Sequence, residues 1–155
     1  MSVYKGVTYS NLKAINIEAD TATIGQLNVT DSVLSKRVRF TIAQVNAGAT
    51  LVAAVSGKSI RMVNCKAIAV GGAAGAVTTV DVLGTQTTSK KLVAFAQVNL
   101  TQSAVLTAGG TGAAVLADGA SYVANDAGTG VTVGKTGSDV TTATHIDVIF
   151  DYVLE

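Results

Sequence analysis

The sequence predicts an all-β fold: an antiparallel β-sandwich of jelly-roll type over residues 36–155, preceded by an extended β arm over residues 1–35. Three observations predict it. The chain is built from β-branched and small residues, with 20 threonines, no proline or tryptophan and 5% aromatics. That composition suits pleated sheets and suits helices poorly. Short apolar runs recur at a spacing of roughly 8–14 residues, each bounded by Gly, Asn, Asp or Thr, the pattern of a sandwich or barrel. No segment carries an apolar stripe of helical period with caps at its ends.

The first 35 residues differ in texture from the rest. Ile15/Ile17, Ala22/Ile24 and Leu27/Val29 form alternating pieces two or three residues long, separated by polar and turn residues. Each is too short to bury a face alone. Such pieces become stable where several chains wrap together, each supplying a strand to a shared core, or where the arm lies along a partner. From Val38 onward the strands lengthen. In VRFTIAQV (38–45), Val38, Phe40 and Ile42 are expected inward, with Arg39 and Thr41 outward. Asn46-Ala47-Gly48 reads as a turn.

SIRMVNCKAIAV (59–70) is a long β run, in which Cys65, between Val63 and Ala67, is expected in the core. VTTVDVL (77–83), KLVAFAQVNL (91–100), AAVLA (113–117), ASYVA (120–124) and GVTVG (130–134) follow. HIDVIFDYVL (145–154) closes the chain with the cleanest alternation. There Ile146, Val148, Phe150 and Tyr152 share one face, and His145, Asp147 and Asp151 the other.

Charge and composition exclude several functions. Apolar residues make up 48% of the chain, too many for a disordered protein. Net charge is +1, with neither part of the chain polarised, so the basic surface that nucleic-acid binding requires is missing. Only 14% of residues are charged, against about 25% in an average soluble domain. A chain so weakly charged is expected to cover much of its exterior with copies of itself or with a larger body. Neither a signal-peptide core in MSVYKGVTYS nor the Gly-rich AIAVGGAAGAV (67–77) suggests secretion or a membrane span. One local charge excess stands out: Lys36, Arg37 and Arg39, an ion-paired face or a contact for an acidic partner.

The search for chemistry finds no catalytic constellation, cofactor or metal site, and no small-molecule substrate is expected. Gly134-Lys135-Thr136 ends like a phosphate-binding loop, but Thr129 stands where that loop needs its first glycine, and no helix follows. Gly57-Lys58-Ser59 fails in the same way at Val52, and both segments are expected to be turns. His145 is the only histidine. Asp147 and Asp151 lie about 13 Å apart along an extended strand, too far to act as a catalytic carboxylate pair. Asp118, Asn125 and Asp126 match no calcium loop.

With the strands placed, two segments become recognisable. RFTIAQVNAGATLVAAVSGKSIRMVNCKAIAVGGAAGAVTTVDVLGT (39–85) and VLADGASYVANDAGTGVTVGKTGSDVTTATHIDVIFDYVLE (115–155) resemble head decoration, or cement, proteins of tailed bacteriophages. INIEADTATIGQL resembles the short repetitive β arms of trimeric phage fibres and head proteins. The resemblance implies a structural virion protein made in the bacterial host cytoplasm. It implies a homotrimer bound to the outside of the capsid, bridging neighbouring major capsid proteins. On that reading Tyr4, Tyr9 and Leu12 are candidate capsid anchors. Ile15, Ile17, Ile24 and Leu27 would line the trimer contact, and Lys36, Arg37 and Arg39 would meet acidic capsid residues. The main alternative is a trimeric tail-fibre or receptor-binding protein. Further rivals are an adhesin or lectin-like module, set against by the lack of a secretion signal, and a β-sandwich hydrolase, set against by the search above.

Overall fold

A computed structural model describes residues 32–86, 90–109 and 125–155. Residues 1–31 of the arm (with Tyr4, Tyr9, Leu12, Ile15, Ile17, Ile24 and Leu27) and the expected strands 113–117 and 120–124 lie outside the described residues, whereas Leu34 and Ser35, at the end of the expected arm, already belong to β1. What is described is all-β, with eight antiparallel strands in two four-stranded sheets. They are β1 (Leu34–Thr41), β2 (Ala49–Val52), β3 (Ile60–Val70), β4 (Val77–Gly84), β5 (Lys90–Ala96), β6 (Leu106–Thr107), β7 (Val131–Gly137) and β8 (His145–Leu154).

The pairing follows a simple rule. β1 pairs with β8, β2 with β7, β3 with β6 and β4 with β5, as if one long hairpin had been wound up. Two further ladders, β3–β8 and β4–β7, complete the sheets in the orders β1-β8-β3-β6 and β2-β7-β4-β5.

Period-two alternation explains the core. Ile146, Val148 and Phe150 of β8, Val80 and Val82 of β4, and Val93 and Phe95 of β5 are at most 1% exposed and join one cluster drawn from both sheets. Burying each such side chain contributes about 1.5–3 kcal/mol. Thr79, Asp81 and Ala94, alternate residues on the other face of the second sheet, are buried as well.

Four local expectations are corrected. The run 38–45 is not one strand: β1 ends at Thr41, and Ile42–Ala47 form a helix, α1. Thr41 and Gln44 make a reciprocal capping box. The Thr41 hydroxyl accepts from the Gln44 N–H at 3.3 Å, and the Gln44 side chain accepts from the Thr41 N–H at 2.9 Å. Six residues are too few to display a helical stripe. Asn46 lies in that helix and exchanges two hydrogen bonds with the Val140 backbone, and Gly48 closes it at φ 80°.

Val63 is 55% exposed, because a bulge between Met62 and Asn64 switches the inward parity of β3 from Ile60 to Cys65, Ala67 and Ala69. Cys65 itself is fully buried, as expected. Gly134-Lys135-Thr136 lies within β7 rather than in a turn, paired with Asp81, Val80 and Thr79 of β4. In the run 91–100, β5 stops at Ala96 and a 3-10 turn, Gln97–Asn99, follows.

Burial also silences the thiol. Desolvation, reinforced by the charge of Asp151, pushes the Cys65 thiol up to about 12. An aromatic disulfide reagent at pH 8 is therefore expected to leave the folded protein unmodified and to react fully once guanidinium unfolds it. Rapid reaction of the native protein would contradict the burial.

Candidate functional site

The outer face of the first sheet is built from rows that the strand register defines. Arg39, Asp147 and Ile68 form one row across β1, β8 and β3, and Arg37, Ile149 and Lys66 form the next. Ser35, Asp151 and Asn64 form a third, in which the Ser35 hydroxyl donates to Asp151 at 2.6 Å. Arg37 and Arg39 share this face because they are two residues apart on one strand. Lys36 belongs to the opposite face, across from Phe150, and remains exposed.

Asp147 organises the charge. Arg39 donates to it through two nitrogens, Nε to Oδ1 at 2.6 Å and Nη2 to Oδ2 at 2.8 Å, the side-on fork that only a guanidinium can make. Arg37 Nη2 stands 3.8 Å from Oδ2. Asp147 is thus 7% exposed although it lies on the outward face, which alternation alone did not reveal. The Arg39 hydrogen bond holds its carboxyl below the ordinary value, more than offsetting desolvation, with the charges of Arg39, Arg37 and His145 adding to it.

A depressed carboxylate stabilises the fold fully only above its ordinary value, and that contribution disappears as pH falls through the lowered one. The gap in melting temperature between the native protein and Asp147→Asn should therefore shrink on titration from about pH 6 to about pH 2. A gap independent of pH would show that the carboxylate's charge is not what matters.

Beside this fork lies a groove of about 360 Å³. It is lined by Ile68, Val70, Val105 and Ile149 together with Arg37, Arg39, Lys66 and Asp147. Val105, just before β6, is 59% exposed. The lining thus combines apolar side chains with three cations and the Asp147 carboxylate, which Arg39 already engages. Asp147 is fixed as a charged acceptor. The Thr144 hydroxyl donates to Val70 O at 3.0 Å and stands 3.1 Å from His145 Nδ1.

A second polar cluster sits on the other sheet. Asp81, 1% exposed, accepts from Thr79 Oγ1 at 2.7 Å and from Thr136 Oγ1 at 2.6 Å, with Lys91 Nζ at 3.2 Å. Lys91 also donates to Thr136 at 2.8 Å. Every oxygen of Asp81 is engaged, which marks a neutralised buried charge. Asn125 donates to the carbonyls of Thr129 and Gly130, so its amide holds a turn. Among the described residues no group of three His, Cys, Asp or Glu could hold a metal. No described helix is long and apolar enough to cross a membrane.

Of the candidate residues taken from the sequence, the structure brings Arg37 and Arg39 together at Asp147 and sets Lys36 apart. Sequence reasoning missed Lys66, Ile68, Val105 and Ile149 as their neighbours. The i, i+2 spacing of the two arginines and of Asp147 and Ile149 was the available signal, but only the register aligns them. No protein-family model matches the chain, and neither a curated protein nor a solved structure matches it.

Proposed function

We propose that the chain is a structural virion protein: a decoration, or cement, protein of jelly-roll form that binds the outside of a tailed-phage head as a homotrimer and stabilises the shell. The observation that carries this reading is the strand pairing β1–β8, β2–β7, β3–β6 and β4–β5. It is the arrangement expected of an eight-stranded jelly roll, an architecture common in viral capsid proteins. The resemblance of residues 39–85 and 115–155 to head decoration proteins supports the same reading from the sequence side.

The mechanism needs no chemistry. Many copies of a modest interface, each favouring the expanded shell, sum to a large stabilisation against internal pressure. Arg37 and Lys66, flanking Ile149, offer the cations that an acidic, partly apolar capsid segment would engage. The arm adds reach, with Tyr4, Tyr9 and Leu12 as its anchors.

Sedimentation of the purified protein is expected to give a trimer. Mixed with expanded shells that lack it, the protein should co-sediment with them, and a version without residues 1–31, which leaves β1 whole, should remain in solution while keeping its β spectrum. Cryo-electron microscopy of the virion separates the alternative: density at the tail tip instead of on the head would establish a fibre or receptor-binding role.

A further inference from the structure

The groove on the outer face of the first sheet holds two cations whose donors are unspent. Arg39 and Asp147 close on each other through two hydrogen bonds. Arg37 Nη2 reaches Asp147 only at 3.8 Å, too far for a hydrogen bond, and its side chain is 73% exposed. Lys66, half-buried in β3, forms no ion pair among the described residues. Among those residues, too, neither Arg37 nor Lys66 donates a side-chain hydrogen bond. A partly desolvated ammonium group is stabilised by an anion, and no described carboxylate supplies one to Lys66.

The strand register separates these cations from the apolar part of the lining. Arg37, Ile149 and Lys66 share a row, so the two cations flank Ile149 from backbones two strand spacings, about 10 Å, apart. Ile68 and Val70 follow Lys66 on the same face of β3, about 7 and 13 Å further along the strand. Val105 precedes Leu106, which pairs with Ala67, and the antiparallel register therefore sets Val105 beside Ile68. The groove is cationic at one end, around Ile149, and apolar toward Ile68, Val70 and Val105. The closed Arg39–Asp147 pair stands to one side, on β1 and β8. At about 360 Å³ the space falls within the range of small-molecule sites, roughly 300–1,000 Å³.

We infer that this groove binds an alkyl chain ending in a carboxylate, with the carboxylate between Arg37 and Lys66 and the chain running over Ile68 toward Val70 and Val105. Both halves of the ligand are needed. A small inorganic anion would meet the cations but leave the apolar lining in water. A chain with a cationic head would meet three cations against one carboxylate. A polyanion such as nucleic acid finds no wider basic surface, because the net charge of the chain is only +1. The inference stands on the groove alone and does not require the virion reading.

Titration of the full-length protein with decanoate, kept below its micelle-forming concentration, tests it. Amide resonances of Lys66, Ile68 and Ile149 should shift and saturate, while those of β5, in the other sheet, stay in place. By calorimetry, acetate and decyltrimethylammonium, each keeping half of the ligand, should bind at least about tenfold more weakly than decanoate. These comparisons need no variant. Arg37→Gln combined with Lys66→Gln should weaken decanoate binding by about tenfold or more, and Val105→Asn should weaken it as well. Lys90→Gln, which removes one cation from the other sheet, should leave it unchanged.

No saturable binding of decanoate would overturn the inference, as would equal binding of either half-ligand or undiminished affinity in the Arg37 and Lys66 double variant. If a short peptide of alternating Glu and Leu shifts these resonances and decanoate does not, the groove serves a protein segment and the inference falls. Attachment to shells is measured separately, so either reading can fail while the other stands.

Discussion

Asp81→Ala lowers the stability of the folded domain by about 3–5 kcal/mol, the cost expected when one member of a buried charged network is removed. The residue is 1% exposed, and its carboxylate accepts from Thr79 and Thr136 and faces Lys91 at 3.2 Å. Alanine leaves two hydroxyls and an ammonium group aimed at an empty site in the middle of β4. Asn recovers only part of the loss, because its amide nitrogen presents a donor where donors already converge. Guanidinium denaturation measures the effect, as a drop in midpoint with the slope unchanged. In a double-mutant cycle, Lys91→Met should cost far less in the Asp81→Ala background than alone. Additive losses would mean that the two side chains do not act as a unit.

Phe150→Ala is the second large effect, again about 3–5 kcal/mol, from lost transfer energy and the cavity left behind. Phe150 is fully buried in β8, which is hydrogen-bonded to both β1 and β3, and its ring stacks on Tyr152 with centroids 5.6 Å apart. Against a typical domain stability of about 5–15 kcal/mol, that change brings the protein close to unfolding at ordinary temperature. Tyr152→Ala, at a half-buried position, should cost clearly less. Thermal unfolding of both variants decides the order, and a larger loss for Tyr152→Ala would place the packing centre of β8 elsewhere.

The Phe150 effect bears on the candidate groove through β8. β8 carries Phe150 inward and Asp147 outward, so the residue that anchors the core also fixes the height of the arginine fork. The groove is precise because the sheet beneath it is.

How much of this was legible beforehand varies by element. β8 was readable because its alternation runs unbroken through Ile146, Val148 and Phe150. The parity of Val63 was not, because a bulge inserts one residue without marking the composition. Thr41-Ile42-Ala43-Gln44 held a capping signal inside an apparent strand, and the helix that follows is too short to announce itself by period. β2 and β6 escaped notice because four and two residues carry too little pattern, and partners make them strands. The candidate site was half legible: Arg37 and Arg39 were visible as a cluster, and Asp147 as an outward acid.

By itself the sequence determined the class of fold, since a chain rich in Thr, Val and Ala with turn residues between short runs has little choice but to form sheets. It also determined the low charge, with only 14% of residues charged. Only the tertiary structure decided that Asp147 is buried, that Lys66 and Ile149 join the arginines, and that Asp81 is neutralised by partners from β5 and β7. The reason is physical: periodicity is a local property of the chain, whereas pairing and register join residues more than a hundred positions apart, and those contacts set burial, charge and the shape of the groove.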